Sequence, residues 1–225
     1  MFDNLDSTIY EYGESIYFDE FRVLIQKIVI CYCLMLGDDL ELEKDENKIR
    51  DVLLINYLKN NLVRKRIKLG DFIFDREVPE DRSRGRTDIK IQTNQSFVDT
   101  DAYYIIECKL LNSVNPRGVS GFNAKYITEG LMRFITGKYS CYYGLNGMIG
   151  FIVESIEIEQ NIVYINDLIN HNFPETNTIQ NLQREDFIEK FEFIYSSRHD
   201  TVVNNPILLY HLMLDFSENI HSVRS

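Results

Sequence analysis

Tyr103-Tyr104-Ile105-Ile106-Glu107-Cys108-Lys109-Leu110-Leu111 is an apolar run with two opposite charges set two positions apart near its end. In an extended strand residues i and i+2 share a face, so Glu107 and Lys109 project together while Ile106, Cys108 and Leu110 face the other way. A charge buried without compensation is costly, so such a pair sits in an interior only beside counter-charges, ions or a solvated cleft. An isolated Glu-x-Lys is ordinarily a surface ion pair at a strand tip. Its neighbours decide between the two.

Two strand-like runs precede it. Asp71 to Val78 alternates and stops at Pro79, and Arg86 to Ile91 alternates with Thr87, Ile89 and Ile91 on one side and Arg86, Asp88 and Lys90 on the other. Gln92 to Asp101 is polar and reads as a hairpin connection. If the last two strands pair, Asp88 and Glu107 bring two carboxylates to one point, as oxygen ligands for Mg²⁺ or Mn²⁺ require, with Lys109 alongside. A hard cation there acidifies water and neutralises charge in an in-line displacement. The ammonium orients or deprotonates that water, or stabilises the pentavalent centre. The residue types suit phosphodiester hydrolysis. An alternative register would use Asp81, but Arg82-Ser83-Arg84-Gly85 reads as a loop, which favours Asp88.

Helical periodicity covers Tyr17 to Leu36 and a second segment capped near Asp45 that ends in the basic Arg64-Lys65-Arg66. After a loop at Asn112 to Gly121, Phe122 to Gly137 is helical, with Lys125, Glu129 and Arg133 off its apolar stripe. Met148 to Glu154 is a strand, Ile156 to Asn170 a helix, Phe173 to Gln180 a loop, and Phe191 to Tyr195 and Ile207 to Phe216 are strands. The glycines at Gly144 and Gly147 precede no Lys-Ser or Lys-Thr, so no phosphate loop is expected. The histidines, His171, His199, His211 and His221, lack metal-ligand spacing, and Arg198-His199-Asp200 reads as a turn. No Ser-His-Asp motif is present. No linker or repeat divides the chain, so one α/β domain over 1–225 is expected.

Of the 225 residues 44% are hydrophobic and 26% charged, ordinary values for a globular chain that can bury a core. A net charge of −11 argues against polyanion binding over the whole surface. Lys59 to Lys90 is the exception, with ten basic residues against six acidic ones. Cys31 and Cys33 are too close for metal-ligand spacing, so the four cysteines are expected as buried thiols in a reducing compartment, and zinc is not expected. The N-terminus lacks the pattern of a leader, and Val23 to Leu36 is too short for a membrane span. A cytoplasmic protein without membrane association is expected.

Asp88, nineteen residues before Glu107-Cys108-Lys109, with a helix on either side, resembles the PD-(D/E)XK nuclease superfamily, whose fold is that of type II restriction endonucleases. The resemblance covers Asp45 to Glu154. It implies a restriction-endonuclease-like α-β-β-β-α-β core with a mixed central sheet at about 45–154, preceded by an N-terminal helical part at 1–44 and followed by a C-terminal strand/helix extension at 155–225. By that resemblance Asp88 and Glu107 are metal ligands, Lys109 is the motif lysine, and Glu46 on the preceding helix is a fourth catalytic and metal-binding member. Arg84, Arg86, Arg117, Lys125 and Arg133 are then nucleic-acid contacts, with Tyr126 and Glu129 as further cleft residues. Thr87 stands where the motif has Pro, as in many members. The implied function is Mg²⁺-dependent hydrolysis of DNA, in preference to RNA, alone or with a protein partner or second copy. The alternatives are a non-cutting module of the same fold that binds nucleic acid or protein, for example in a restriction, repair or phage-defence system, and a helical interaction protein in which the Glu-Lys pair is only structural.

Overall fold

The computed structural model describes residues 7–80, 86–202 and 205–220, with side chains from residue 15 onward. At its centre lies the opening stretch, β3 (Tyr103–Leu111), whose nine residues are all buried. Apolar residues on both faces of a strand require a layer of helices on each side, and the chain supplies them. On one side lie α1 (Ser7–Gly37) and α2 (Glu46–Asp51), the latter continuing as a wider π-type segment at Val52–Leu58, followed by α3 (Asn61–Ile67). On the other, α4 (Phe122–Lys125), a π-type segment at Tyr126–Leu131 and α5 (Met132–Ile135) run on as one helix, with α6 (Ile158–Asn172) beside it.

The remaining strands are β1 (Ile73–Pro79), β2 (Arg86–Gln92), β4 (Leu145–Ile152), β5 (Thr178–Arg184), β6 (Ile194–Asp200) and β7 (Pro206–Asp215). They form one open seven-stranded mixed sheet in the order β1-β2-β3-β4-β7-β6-β5. β1, β2 and β3 are antiparallel neighbours, as a meander with short connections must be, whereas β3, β4 and β7 are parallel and joined by crossovers. This sheet removes the helical-protein alternative.

Several expectations change. The second helix does not run to Arg66. Lys59 ends the first piece, and Asn60 caps a new one by accepting from the N–H groups of Leu62 and Val63, because an Asn side chain satisfies the donors that a helix start leaves open. Thr178–Arg184 is an edge strand that begins inside the loop expected at Phe173 to Gln180; Ile179 is exposed while Thr178, Gln180 and Asn181 are half-buried, so apolar and polar positions do not sort by face. Residues 155–225 are no appendage: β7 pairs with β4 along its length, so the C-terminal third completes the central sheet. Arg198-His199-Asp200 belongs to β6 rather than to a turn. Cys33 is exposed, although all four cysteines are free. Among the described residues no helix is long and apolar enough to cross a membrane.

Two ladder interruptions position the site. β2 and β3 pair from Gln92↔Tyr103 to Ile89↔Ile106 and then part, one position short of Asp88 and Glu107. On the other side β1 and β2 pair on both sides of Glu77 and Asp88 but not at them, where Glu77 turns to φ 50°, the left-handed region that costs a non-glycine residue on the order of 1 kcal/mol. Asp88 therefore stands free of both ladders.

Candidate active site

Where β2 leaves β3, the edge of β3 is left with unpaired backbone donors, and two carboxylates take them. Asp88 Oδ2 accepts from Cys108 N at 2.8 Å, and Glu46 Oε2 from Leu110 N at 3.1 Å. This is why Glu46, from the opposite helical layer, meets residues of β3. Its other oxygen accepts from Lys109 Nζ at 2.9 Å, and that ammonium also donates to the Cys108 carbonyl at 2.8 Å. Asp88, Glu107, Lys109 and Glu46 are thus brought together.

Glu107 is fully buried. Its Oε2 lies 2.6 Å from the Tyr139 hydroxyl. Its Oε1 lies 2.8 Å from Lys109 Nζ and 3.3 Å from Arg133 Nη1, an ion pair with each. Burial first, and then the charge of Asp88, push the Glu107 carboxyl up to about 7, against the pull of Lys109 and Arg133. The hydrogen-bond count agrees. The Tyr139 oxygen lies 2.6 Å from both Glu107 Oε2 and the Arg86 carbonyl, two acceptors for its single hydrogen, while also accepting from Arg133. A proton on Glu107 resolves this, since Glu107 then donates to Tyr139 and Tyr139 to Arg86. Burial alone would lower the Lys109 pKa, but Glu107, Glu46 and Asp88 more than offset it and raise it, so the side chain is a fixed ammonium.

Arg50, buried to 2% exposure, closes the cluster from α2. It reaches Asp88 Oδ1 at 3.2 Å, Glu77 at 3.1 Å and Asp51 at 3.0 Å. Among the described residues, no group of three or more His, Cys, Asp or Glu side chains is arranged to hold a metal ion. Mg²⁺ commonly uses only one or two protein carboxylates and completes its shell with water and phosphate. By donor type Asp88 and Glu107 fit that role.

No family model, curated protein or solved structure matches the chain.

The other expected residues divide. Arg133 is in the site, where its guanidinium also bonds the Arg86 carbonyl at 3.4 Å. Arg86 itself contributes that carbonyl, its side chain being exposed. Lys125 and Glu129 are exposed on the helix, and Glu129 lines a cleft with Arg133 and Lys138. Arg117 stacks on Tyr164 of α6, 4.3 Å from the ring centroid. Arg84 and Asp81 lie outside the described residues. Much of the basic segment is internally engaged: Arg64 holds the Leu58 and Phe72 carbonyls, and Arg76 pairs with Asp51.

Tyr126 does not line the cleft. It is buried and its hydroxyl lies 2.8 Å from His211 Nδ1. From there a buried chain runs through Ser197 Oγ, 2.8 Å from both His211 Nε2 and His199 Nε2, to His199 Nδ1, which lies 3.0 Å from the Thr178 hydroxyl and 3.1 Å from the Thr176 carbonyl. That carbonyl only accepts, so His199 Nδ1 carries the hydrogen. Ser197 must then donate to His199 and His211 to Ser197, with Tyr126 donating to His211. Both rings are neutral, and burial holds His199 down to about 4 and His211 to about 3, the latter helped by His199.

A pH dependence follows with a definite sign. Each ring binds a proton in the unfolded chain below about 6.5 but not in the folded one, so its contribution is complete above 6.5 and is lost as pH falls, by about 1 kcal/mol per pH unit. Glu107 works oppositely, its contribution being complete below 4.5 and lost as pH rises through about 7. With two rings against one carboxyl, stability should decline from pH 6 to pH 5. Urea midpoints at the two values measure it, and in a His199→Gln/His211→Gln protein, where Glu107 alone remains, the decline should be abolished or reversed. Equal midpoints in wild type would contradict the neutral buried pair.

Arg50, Tyr139 and the histidine chain were not singled out from the sequence. Arg50 is four residues after Glu46, on the same helical face, so placing Glu46 in the site would have placed Arg50 near it. His211 was signalled by its position inside an apolar strand. Tyr139, just past the end of a helix, carried no signal.

Proposed function

We propose that the protein is a metal-dependent nuclease of the restriction-endonuclease-like, PD-(D/E)XK type, hydrolysing DNA phosphodiester bonds. The observation that carries this reading is the convergence of Asp88, Glu107, Lys109 and Glu46 at the point where β2 parts from β3. The order of elements from α2 through β4, helix, three antiparallel strands, helix and a parallel strand, supports it as well.

Asp88 and Glu107 would hold a divalent cation, which supplies an acidified water and neutralises charge on the phosphate. Lys109, kept protonated by its carboxylate neighbours, stabilises the negative charge that develops at phosphorus and does not act as the base. Glu46 fixes the Lys109 rotamer from the far side. Arg133, partly exposed at the mouth, is placed to hold a non-bridging phosphate oxygen.

One observation favours a second reading, a module of this fold that binds without cutting. Arg50 already neutralises Asp88, and an internal guanidinium can stand where a cation would act. Incubating the purified protein with supercoiled plasmid and with oligonucleotides, with Mg²⁺, with Mn²⁺ and with chelator, separates the two. Metal-dependent nicking or shortening is expected. Intact DNA under all conditions, with the protein folded, would favour the binding module.

A further inference from the structure

A cavity of about 710 Å³ opens beside the carboxylate cluster, within the usual range for small-molecule sites. Tyr139 belongs to both, lining the cavity while its hydroxyl meets Glu107. The other aromatic lining is Phe134, Tyr142 and Tyr143. The Tyr142 and Tyr143 rings meet edge-on at 4.5 Å and are braced by Tyr17, at 5.3 and 5.4 Å. Tyr143 itself is held at φ 47°, a conformation that a bulky residue adopts only under constraint.

The cavity differs from its neighbour in having acidic side chains without basic ones. Its described lining contains Asp99 and Asp101 and no Lys or Arg, whereas Lys109 and Arg133 stand on the Glu107 side of Tyr139. Asp99 accepts from the Asp101 N–H at 2.9 Å and from the Tyr142 hydroxyl. A phosphate is repelled by the cavity and, on the nuclease reading, would be held in the cluster by Lys109, Arg133 and the divalent cation. A neutral planar ring bearing N–H groups meets the reverse: the half-buried Tyr142 and Tyr143 rings to stack on and carboxylates to accept its amino hydrogens. A nucleotide has both parts, joined through its sugar.

We propose that the cavity receives one unpaired nucleobase of the strand being cut, which makes the substrate single-stranded or locally unpaired DNA rather than continuous duplex. The proposal rests on the nuclease reading. A base inside a duplex is stacked and paired and has to be extruded before it can enter such a pocket, so a strand already open at that nucleotide binds better.

The test measures binding of labelled oligonucleotides with Ca²⁺ in place of Mg²⁺, and cleavage with Mg²⁺ in parallel. Single strands are expected to bind at least about tenfold more tightly than the same sequence as blunt duplex. Moving a single abasic nucleotide along the strand should weaken binding by about tenfold at one register and little elsewhere. Because that scan uses the wild-type protein, it does not depend on any variant folding. Tyr142→Ala should reproduce the loss on the intact strand and add nothing on the abasic one, and Tyr142→Phe should restore it. Duplex bound as tightly as single strand, or an abasic scan without a weak register, overturns the proposal. If the wild type still cuts DNA in that case, the nuclease reading stands without it. A register-dependent abasic effect without cutting keeps the pocket and removes catalysis, and absence of both binding and cutting removes both.

Discussion

Asp88→Asn protein should lose DNA cleavage by at least about a hundredfold while keeping its fold. The amide is the same shape as the carboxylate and can still accept from Cys108 N, the contact that fixes the end of β2 against the edge of β3. What it lacks is the charge and the second oxygen, to which Arg50 donates. With that charge gone, divalent metal should no longer register in calorimetry. The Glu107 carboxyl should also titrate lower, because Asp88 is the second cause that holds it up. Lys109→Gln should cost a similar factor by removing the ammonium while leaving a side chain that can still reach Glu46. Plasmid nicking in Mg²⁺, followed over time beside a thermal melt of each variant, measures both. Cutting that survives either substitution would take that residue out of the mechanism.

Arg50→Met should produce the largest loss of stability, about 3 kcal/mol, seen as a fall in Tm of about 10 °C. The guanidinium is 2% exposed and serves three carboxylates at once. Glu77 and Asp51 are open enough to turn to water when it is removed, at 49% and 29% exposure. Asp88, at 14%, is not, and its uncompensated charge carries most of the penalty. Mg²⁺ distinguishes the two readings of the site. If Asp88 and Glu107 take up a cation, millimolar Mg²⁺ should recover part of the lost Tm in Arg50→Met protein and less in wild type. An Arg50→Met melt indistinguishable from wild type would mean that the buried pair contributes nothing, and a melt blind to Mg²⁺ would favour the binding module.

The alternation of Arg86 to Ile91 and the buried run at 103–111 were enough to place Asp88, Glu107 and Lys109 on one face, because period-two patterning fixes which way each side chain points. Capping chemistry at Asp45 located the start of the helix that delivers Glu46, and the Asp45 side chain does accept from Lys48 N. What patterning could not supply was partnership. Tyr139 meets Glu107 across thirty-two residues of sequence and Ser197 meets His211 across fourteen, and no local period encodes either contact. The edge strand at Thr178–Arg184 was hidden for a different reason: one of its sides faces water and the other packs in part through Asn166, which holds Leu182 through both its backbone groups. The Tyr126 side chain was misplaced because it lies beside Ile127 and one turn before Gly130, on the buried face of the helix rather than with Lys125 and Glu129.

The order of strands in the sheet has a consequence for how the chain is made. β4, the run Leu145-Asn146-Gly147-Met148-Ile149-Gly150-Phe151-Ile152, has its second hydrogen-bonding edge covered only by β7, which begins at Pro206. On a ribosome the apolar middle of the protein therefore emerges with one edge open, and it stays open while more than fifty further residues are added. At typical synthesis rates that interval lasts seconds, long compared with the microseconds a nascent hairpin needs to form. The hairpin of β6 and β7 can close first and arrive as a finished unit, which leaves docking along β4 as the last step in building the sheet and the most exposed to competition from other nascent chains.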